Sequence, residues 1–383
     1  MNTIKFGFFY LLETILRFLP WPQKTGLIKI GHPDKNSPVL VTGNYHLTVL
    51  KVKRALRGHN VFLLVVDSRG INVWCAAAGG HLTQHDVVSA IKLTGIERLV
   101  AHRRVILPQL AACGVEAREI HLRTGWDAKW GPVDIRDFPA YFASGMKKRK
   151  GMNTVRFPLL ARMEMAVAWA FWMSVVYSLV LWILNRSTVL PALILVWLLS
   201  LMLFSLFPVY LPLLRPKGGE KLWEKRRKGR IIFLSALLFL ALTGLGVYSL
   251  LTSRFALAFL LFWGVLVVVS ILFIGGDLSG STPLLISQFR EEMGFVIEVD
   301  DEKCRGDGIC ANVCPQECFI LDKRQHLAIL EKPDSCIYCG ACIVQCQFDA
   351  LHYKDAEGKS ISPDIIRKHK VGLSGKRKKM RNK

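Results

Sequence analysis

The hydrophobic positions of this chain fall into four patterns, taken here from the amino to the carboxyl end. Ile4, Phe6, Phe8, Leu11, Leu12, Ile15 and Phe18, broken by Lys5, Glu13 and Arg17, predict an amphipathic helix over residues 3–19. It would lie at a membrane interface or pack on the adjoining domain, and a core helix of the first domain fits the periodicity equally well. Residues 38–146 alternate short apolar runs with helical patterns. Strands are expected at Val39–Thr42, Val61–Val66, Arg98–Ala101 and Val115–Ile120, and helices at Tyr45–Leu56, Val87–Leu93 and Val105–Ala112. Strands alternating with helices argue a mostly parallel, Rossmann-like α/β sheet. No Gly-x-Gly-x-x-Gly or phosphate-binding loop accompanies it, so a nucleotide site has no support.

Four long apolar runs come next: Met165–Leu184, Val189–Leu214, Ile231–Leu251 and Phe255–Gly275. Each is long enough to cross a hydrocarbon core of about 30 Å. Pro191, Pro208 and Pro212 should kink or shorten the second. A last region, with short runs at Phe319–Leu321 and Leu327–Leu330, reads as a hairpin inside a small α+β domain.

Charge orients this layout. The chain is 51% hydrophobic and carries a net charge of +22. Lys147, Lys148, Arg149, Lys150, Arg156 and Arg162 precede the first span. Lys217, Lys221, Lys225, Arg226, Arg227, Lys228 and Arg230 separate the second from the third, while Arg186 and Arg254 are the basic residues after the first and third. The positive-inside rule then places both globular ends on the cytoplasmic face of a multi-pass membrane protein. Basic residues beside apolar spans make membrane lipid the expected partner, and no nucleic acid is expected. No acidic residue stands inside the spans, so the bundle reads as anchor and scaffold, not as an ion path. The first apolar run lacks a small-residue cleavage site and is not expected to be a cleaved leader. The tail Lys376–Lys383 would be disordered, either touching anionic lipid or merely solvated.

Eight of the ten cysteines lie between residues 304 and 346. Such clustering indicates metal binding in a reducing compartment. Cys336-x2-Cys339-x2-Cys342-x3-Cys346 is a complete bacterial ferredoxin run. Cys304, Asp307, Cys310 and Cys314-Pro315 repeat the spacing with Asp307 at the second ligand position. The fourth cysteine of each run serves the other cluster in two-cluster ferredoxins. Cys304, Asp307, Cys310 and Cys346 should therefore hold one 4Fe-4S cluster, and Cys314, Cys336, Cys339 and Cys342 the other. A carboxylate is a harder, weaker ligand for iron than a thiolate, so the Asp307 cluster should lose one iron and convert to 3Fe-4S readily. Zinc would more usually take two separated cysteine pairs. Cys318 is either packing or a relay for a soft metal.

The remaining candidate chemistry is Ile71-Asn72-Val73-Trp74-Cys75-Ala76-Ala77-Ala78-Gly79-Gly80, beyond the strand Val61–Val66 and the turn Asp67–Gly70. Ligands of open α/β sheets sit beyond the carboxyl ends of strands. The small neighbours of Cys75 would admit a large flat ligand, and its thiolate could bind a metal. A cysteine among apolar residues is more often a small core residue, the role expected for Cys113. Asn72-Val73-Trp74-Cys75-Ala76-Ala77 resembles the cap-helix signature of the mercury-methylating corrinoid protein family. His32-Pro33-Asp34, Ser37–Thr42, Asp67–Gly70 and His102-Arg103-Arg104 are similar too, and the ferredoxin region resembles that family's small iron–sulfur partner. Ala78-Gly79-Gly80 stands where the family continues Gly-Lys-Gly, and the carboxyl tail lacks the partner's extra cysteines.

The resemblance implies a corrinoid held over residues 72–77, with Cys75 as the lower ligand of cobalt. It implies a methyl-folate or methyl-pterin donor with its methyltransferase, and Hg(II) as methyl acceptor. The fused ferredoxin would reduce the cobalt, at an effective concentration of about millimolar for a flexible link. The same residues fit a carrier with a different methyl acceptor, or a membrane-anchored electron-transfer protein without a corrinoid. The expected organisation is an interfacial helix over 1–30, a corrinoid-binding α/β domain over 31–160, and an all-α four-helix transmembrane bundle over 164–276. A two-cluster ferredoxin over 290–360 and a basic tail over 361–383 complete it.

Overall fold

The computed structural model describes residues 3–215, 222–252, 257–276, 278–285, 295–355 and 357–369. The expected tail, Lys376–Lys383, lies outside them, as do Lys217, Lys221 and Arg254. The chain forms two compact units, Met1–Phe18 with Arg156–Gly294, and Leu19–Val155 with Phe295–Lys383.

The second unit begins with a five-stranded sheet: β1 Gly26–Ile30, β2 Val39–Gly43, β3 Val61–Val66, β4 Arg104–Leu107 and β5 Asp127–Trp130. Their order is β1-β3-β2-β4-β5. β2 runs parallel to β3 and β4, and β4 to β5, whereas β1 closes the edge antiparallel to β3. Every residue of β2 and β3 is buried, the signature of strands covered on both faces. Side chains alternate between two cores. Phe62, Leu64 and Val66 join Val87, Ile91 and Ile120 of helices Gln84–Thr94 and Ala117–Thr124. Leu63 and Val65 join Val49, Val52 and Phe138 on the other side.

Several expected elements change. Arg98–Ala101 is not a strand: Gly95, at φ +62°, ends helix Gln84–Thr94, and a single 3₁₀ turn at Ile96–Arg98 buries Ile96. Val105–Ala112 is not a helix: it supplies most of β4, and Pro108 then starts a 3₁₀ turn, Gln109–Ala111. Val115–Ile120 is not a strand but leads into helix Ala117–Thr124, closed by Gly125 at φ +70°. Short apolar runs suit either structure on periodicity alone, and here burial from both faces decides. The amino-terminal helix is Thr3–Ile15, and Gly26–Ile30, grouped with it on sequence, pairs with β3.

The same unit contains the ferredoxin region. β6 Val296–Val299 and β10 Ser360–Ile361 flank β9 Leu351–Lys354 in an antiparallel sheet. β7 Phe319–Asp322 and β8 Leu327–Leu330 form the expected hairpin. Two short helices, Ile309–Val313 and Ala341–Gln345, begin after Gly308 and Gly340, both left-handed at φ near +70°. Val313 and Ala341 of these helices enter the same apolar core as β3. The ferredoxin is therefore built onto the α/β domain, where a flexible link was expected.

Among the described residues the first unit holds four helices long and apolar enough to cross a membrane: Leu159–Leu184, Arg186–Ser205, Glu224–Leu251 and Leu257–Gly276. The expected second span is shortened: its helix stops at Ser205, and Phe207–Leu214, with Pro208 in its first turn, starts anew. Arg162 donates to the freed carbonyls of Phe204 and Ser205. Small residues bring helices close, and the Ser200 hydroxyl donates to the Ala166 carbonyl at 2.8 Å. The first helix starts before the predicted span and so includes Glu164, buried and paired with Arg17 and Tyr10. That pair fixes helix Thr3–Ile15 to the bundle while Ile4, Phe8 and Leu11 remain exposed.

Candidate functional site

The first part of the site is built where β3 ends. Asp67 accepts the Arg69 N–H at 2.9 Å and turns the chain. Asn44, from the turn after β2, is buried, and its Oδ1 accepts the N–H groups of Ser68 and Gly70, each at 2.9 Å. This cross-strand tie was missed on sequence. Its signal was a polar residue directly after a fully buried strand.

The turn delivers the chain into helix Val73–Ala78. Asn72 caps it, its Oδ1 accepting the Cys75 N–H at 3.0 Å, with its Nδ2 3.4 Å from Cys75 Sγ. Val73, Ala76 and Ala77 face the core, Trp74 is half-buried, and Cys75 is exposed. Cys75 thus lies on the open side of this helix, not in the core as an ordinary packing cysteine would. Below the helix, Gly114 makes room for the backbone: a Cβ there would stand 2.3 Å from the Ala77 carbonyl oxygen.

The second part is the cysteine region. Cys310 is pushed up to about 12, mainly by burial and then by the charges of Asp307, Cys304 and Cys346 beside it. These are the four residues assigned to one cluster on spacing. Cys342 is raised well above the ordinary thiol value by burial first, then by Cys339, Cys336, Cys314 and Cys310. The first three, with Cys342, are the four assigned to the other cluster, and Cys310 comes from the first set, so cysteines of both runs lie near one another. Among the described residues, no three His, Cys, Asp or Glu side chains converge on one ion. A multi-iron cluster suits ligands that surround a volume.

Backbone N–H groups already point at several sulfurs. Cys318 N–H donates to Cys314 Sγ at 3.3 Å, Tyr338 N–H to Cys336 Sγ at 3.3 Å and Ala350 N–H to Cys346 Sγ at 3.4 Å. Such bonds tune cluster potentials. Cys318 is fully buried, and its side chain bonds to Cys314 and Cys336. The bond from Cys318 is the main cause drawing Cys314 down to about 7.

The two parts meet directly. Gln345 Nε2 donates to the carbonyls of Ala112 and Val115 at 2.7 and 2.6 Å, and its Oε1 accepts from Ala117 N–H at 3.3 Å. Lys148 Nζ donates to Gln109 Oε1 at 3.0 Å and to the Asn312 carbonyl at 2.8 Å, and burial pulls its amine down to about 7. Val155 N–H donates to the Pro315 carbonyl at 2.9 Å. Cys113 is buried, as expected, and the core it joins includes Cys339.

Comparison with known proteins matches both parts. Residues 17–142 fit the family model of the CO dehydrogenase/acetyl-CoA synthase delta subunit, and residues 331–352 that of the 4Fe-4S binding domain. The gamma subunit of the acetyl-CoA decarbonylase/synthase complex from Methanopyrus kandleri is 38% identical over 124 residues, 32% of this chain and 26% of that protein. The gamma subunit from Methanothermobacter thermautotrophicus is 40% identical over 124 residues, 32% of this chain and 27% of that protein. That from Methanocaldococcus jannaschii is 39% identical over 117 residues, 30% and 24% of the two chains. The chain spans about a quarter of the length of these relatives. It joins a domain similar to part of these subunits to a 4Fe-4S binding segment, with four apolar helices between them in sequence.

Proposed function

We propose that this protein is a membrane-anchored corrinoid methyl carrier whose cobalt is reduced by its own ferredoxin region. The observation that carries the reading is an exposed Cys75 on a capped, small-residue helix beyond the carboxyl end of β3, inside the stretch that fits the acetyl-CoA synthase family model. A bound corrinoid supplies a cobalt that accepts and gives a methyl group, and iron–sulfur clusters supply single low-potential electrons.

In this reading Cys75 would hold the cobalt through its thiolate. Asn72 fixes its orientation through the N-cap bond and keeps an amide donor beside the sulfur. Ala76 and Ala77 are fully buried, so the helix lies flat on the core and leaves its Cys75 side open to a broad ring. Cys304, Asp307, Cys310 and Cys346 would hold one cluster, and Cys314, Cys336, Cys339 and Cys342 the other. The basic loops support a cytoplasmic placement of the α/β and ferredoxin regions. The methyl donor is a methyl-folate or methyl-pterin carrier with its methyltransferase, and the acceptor is Hg(II), on the resemblance of Asn72–Ala77. A different acceptor is the second reading, favoured by Ala78-Gly79-Gly80 and by the likeness to gamma subunits of an acetyl-CoA complex.

The test is a count of cobalt and iron on anaerobically prepared protein loaded with cobalamin. Near-stoichiometric cobalt is expected, and its absence ends the methyl-carrier reading. Cys75→Ala should abolish the sulfur-to-cobalt absorption and leave the iron–sulfur spectrum intact. Incubation with Hg(II) and a methyl donor under reducing conditions decides the acceptor, because active protein that forms no methylmercury acts on something else.

A further inference from the structure

The two cysteine sets do not face the α/β domain alike. Cys339 packs in the apolar core that contains Cys113, near enough for the two thiols to feel each other's charge. Gly114, next in the chain, lies against Ala77, where even a Cβ would meet the carbonyl oxygen at 2.3 Å. Ala77 belongs to the helix that carries Cys75. Gln345 holds this crossing in place, because the two carbonyls it grips, Ala112 and Val115, bracket Cys113 and Gly114. The path from Cys339 to the Cys75 helix therefore runs through close-packed protein. Of the other set, Asp307 is exposed and Cys304 half-buried, while Cys310 and Cys346 are buried.

We propose that electrons leave the ferredoxin region from the Cys339 cluster and cross the Cys113–Gly114 loop to the Cys75 helix, while the Asp307 cluster receives them from an external low-potential one-electron donor. The inference rests on the two-cluster corrinoid reading above. Each transfer oxidises the Cys339 cluster by one electron and reduces the metal held by Cys75 by one, with no bond made or broken. Gln345 is a positioning residue that acts through the loop it grips.

Electron paramagnetic resonance of the full chain in detergent tests this in two arms. Asp307→Cys serves only to recognise the signal of its own cluster, which it alters. In cobalamin-loaded protein, paramagnetic cobalt should speed the relaxation of the reduced Cys339 cluster several-fold and leave the Asp307 cluster near its cobalt-free rate. Faster relaxation of the Asp307 cluster alone, or equal effects on both, overturns the route. In corrinoid-free protein, Cys113→Asp places a negative charge beside Cys339 and should lower the midpoint potential of that cluster while the other stays. If this variant does not fold, Cys113→Ser is used instead, and a smaller shift of either sign confined to the Cys339 cluster is expected. A shift confined to the Asp307 cluster, or none in either, also overturns the proposal. Failure to bind cobalamin defeats the methyl-carrier reading, and the potentiometric arm still decides whether the Cys339 cluster abuts the loop.

Discussion

The two halves of the ferredoxin region share a backbone and differ in what they face. Gly306 and Tyr338 occupy matching positions and both have positive φ, as do Glu317 and Asp349. Gly308 and Gly340 start matching helices, and the N–H groups of Cys318 and Ala350 serve matching sulfurs. At the helix ends the halves part. The Asn312 carbonyl takes a cation from the α/β domain, Lys148, whereas the matching Val344 carbonyl lies within reach of Arg367 from the ferredoxin region itself. Asp307 in the first half is exposed, while Cys339 in the second packs against the core that contains Cys113. The lesson is that ligand geometry fixes the backbone of both halves, while the neighbour each half meets selects its side chains.

The sharpest way to break this comparison is to remove the matching ligand from each half. Cys339→Ala should cost one cluster and disturb the shared core, seen as loss of up to half the iron and a lower unfolding midpoint. Asp307→Ala should leave the midpoint nearly unchanged and make its cluster more labile. Equal losses in both would show that the halves are equivalent. Next in size is Gln345→Ala. It leaves the buried Ala112 and Val115 carbonyls without their donor, a cost of about 1–3 kcal/mol, and hydrogen exchange should rise over residues 112–117. Unchanged exchange there would remove the clamp.

A smaller effect is expected from Asp307→Cys. A thiolate at that position should keep the fourth iron through mild oxidation, so the 3Fe-4S signal expected from the oxidised parent protein should be absent from the variant. The smallest concerns Lys148. Its amine sits near 7 when folded, below the ordinary 10.5, so between those values the unfolded chain binds more protons. Stability should therefore rise with pH across that window and level off above it. Lys148→Met should flatten the slope, and an unchanged slope would assign it to another group.

What could be read from sequence tracks the range of the forces involved. The 4Fe-4S motif was legible because one short loop must aim several ligands at one volume, and β2 and β3 because burial on both faces leaves unbroken apolar runs. β5 was not: Asp127-Ala128-Lys129-Trp130 buries only its tryptophan, so its pattern is that of a loop. β4 was misread because Val105-Ile106-Leu107 suits a helix as well as a strand. Cys113 was rightly read as packing, but its neighbour Cys339 was invisible, since nothing local in either stretch announces the other. Gln345 and Asn44 were missed for the same reason. A single amide reaching a distant carbonyl or turn leaves no periodic trace.

The order of synthesis gives the shared core a cost in time. Ala111, Ala112, Cys113 and Val115 emerge from the ribosome long before Val313 and Ala341, which join them in one core. Residues 156–294, with the four helices long and apolar enough to cross a membrane found among the described residues, must be made in between. At ~5–20 residues per second that interval is on the order of ten seconds. A sticky, half-finished surface has to survive it unaided or shielded by a chaperone.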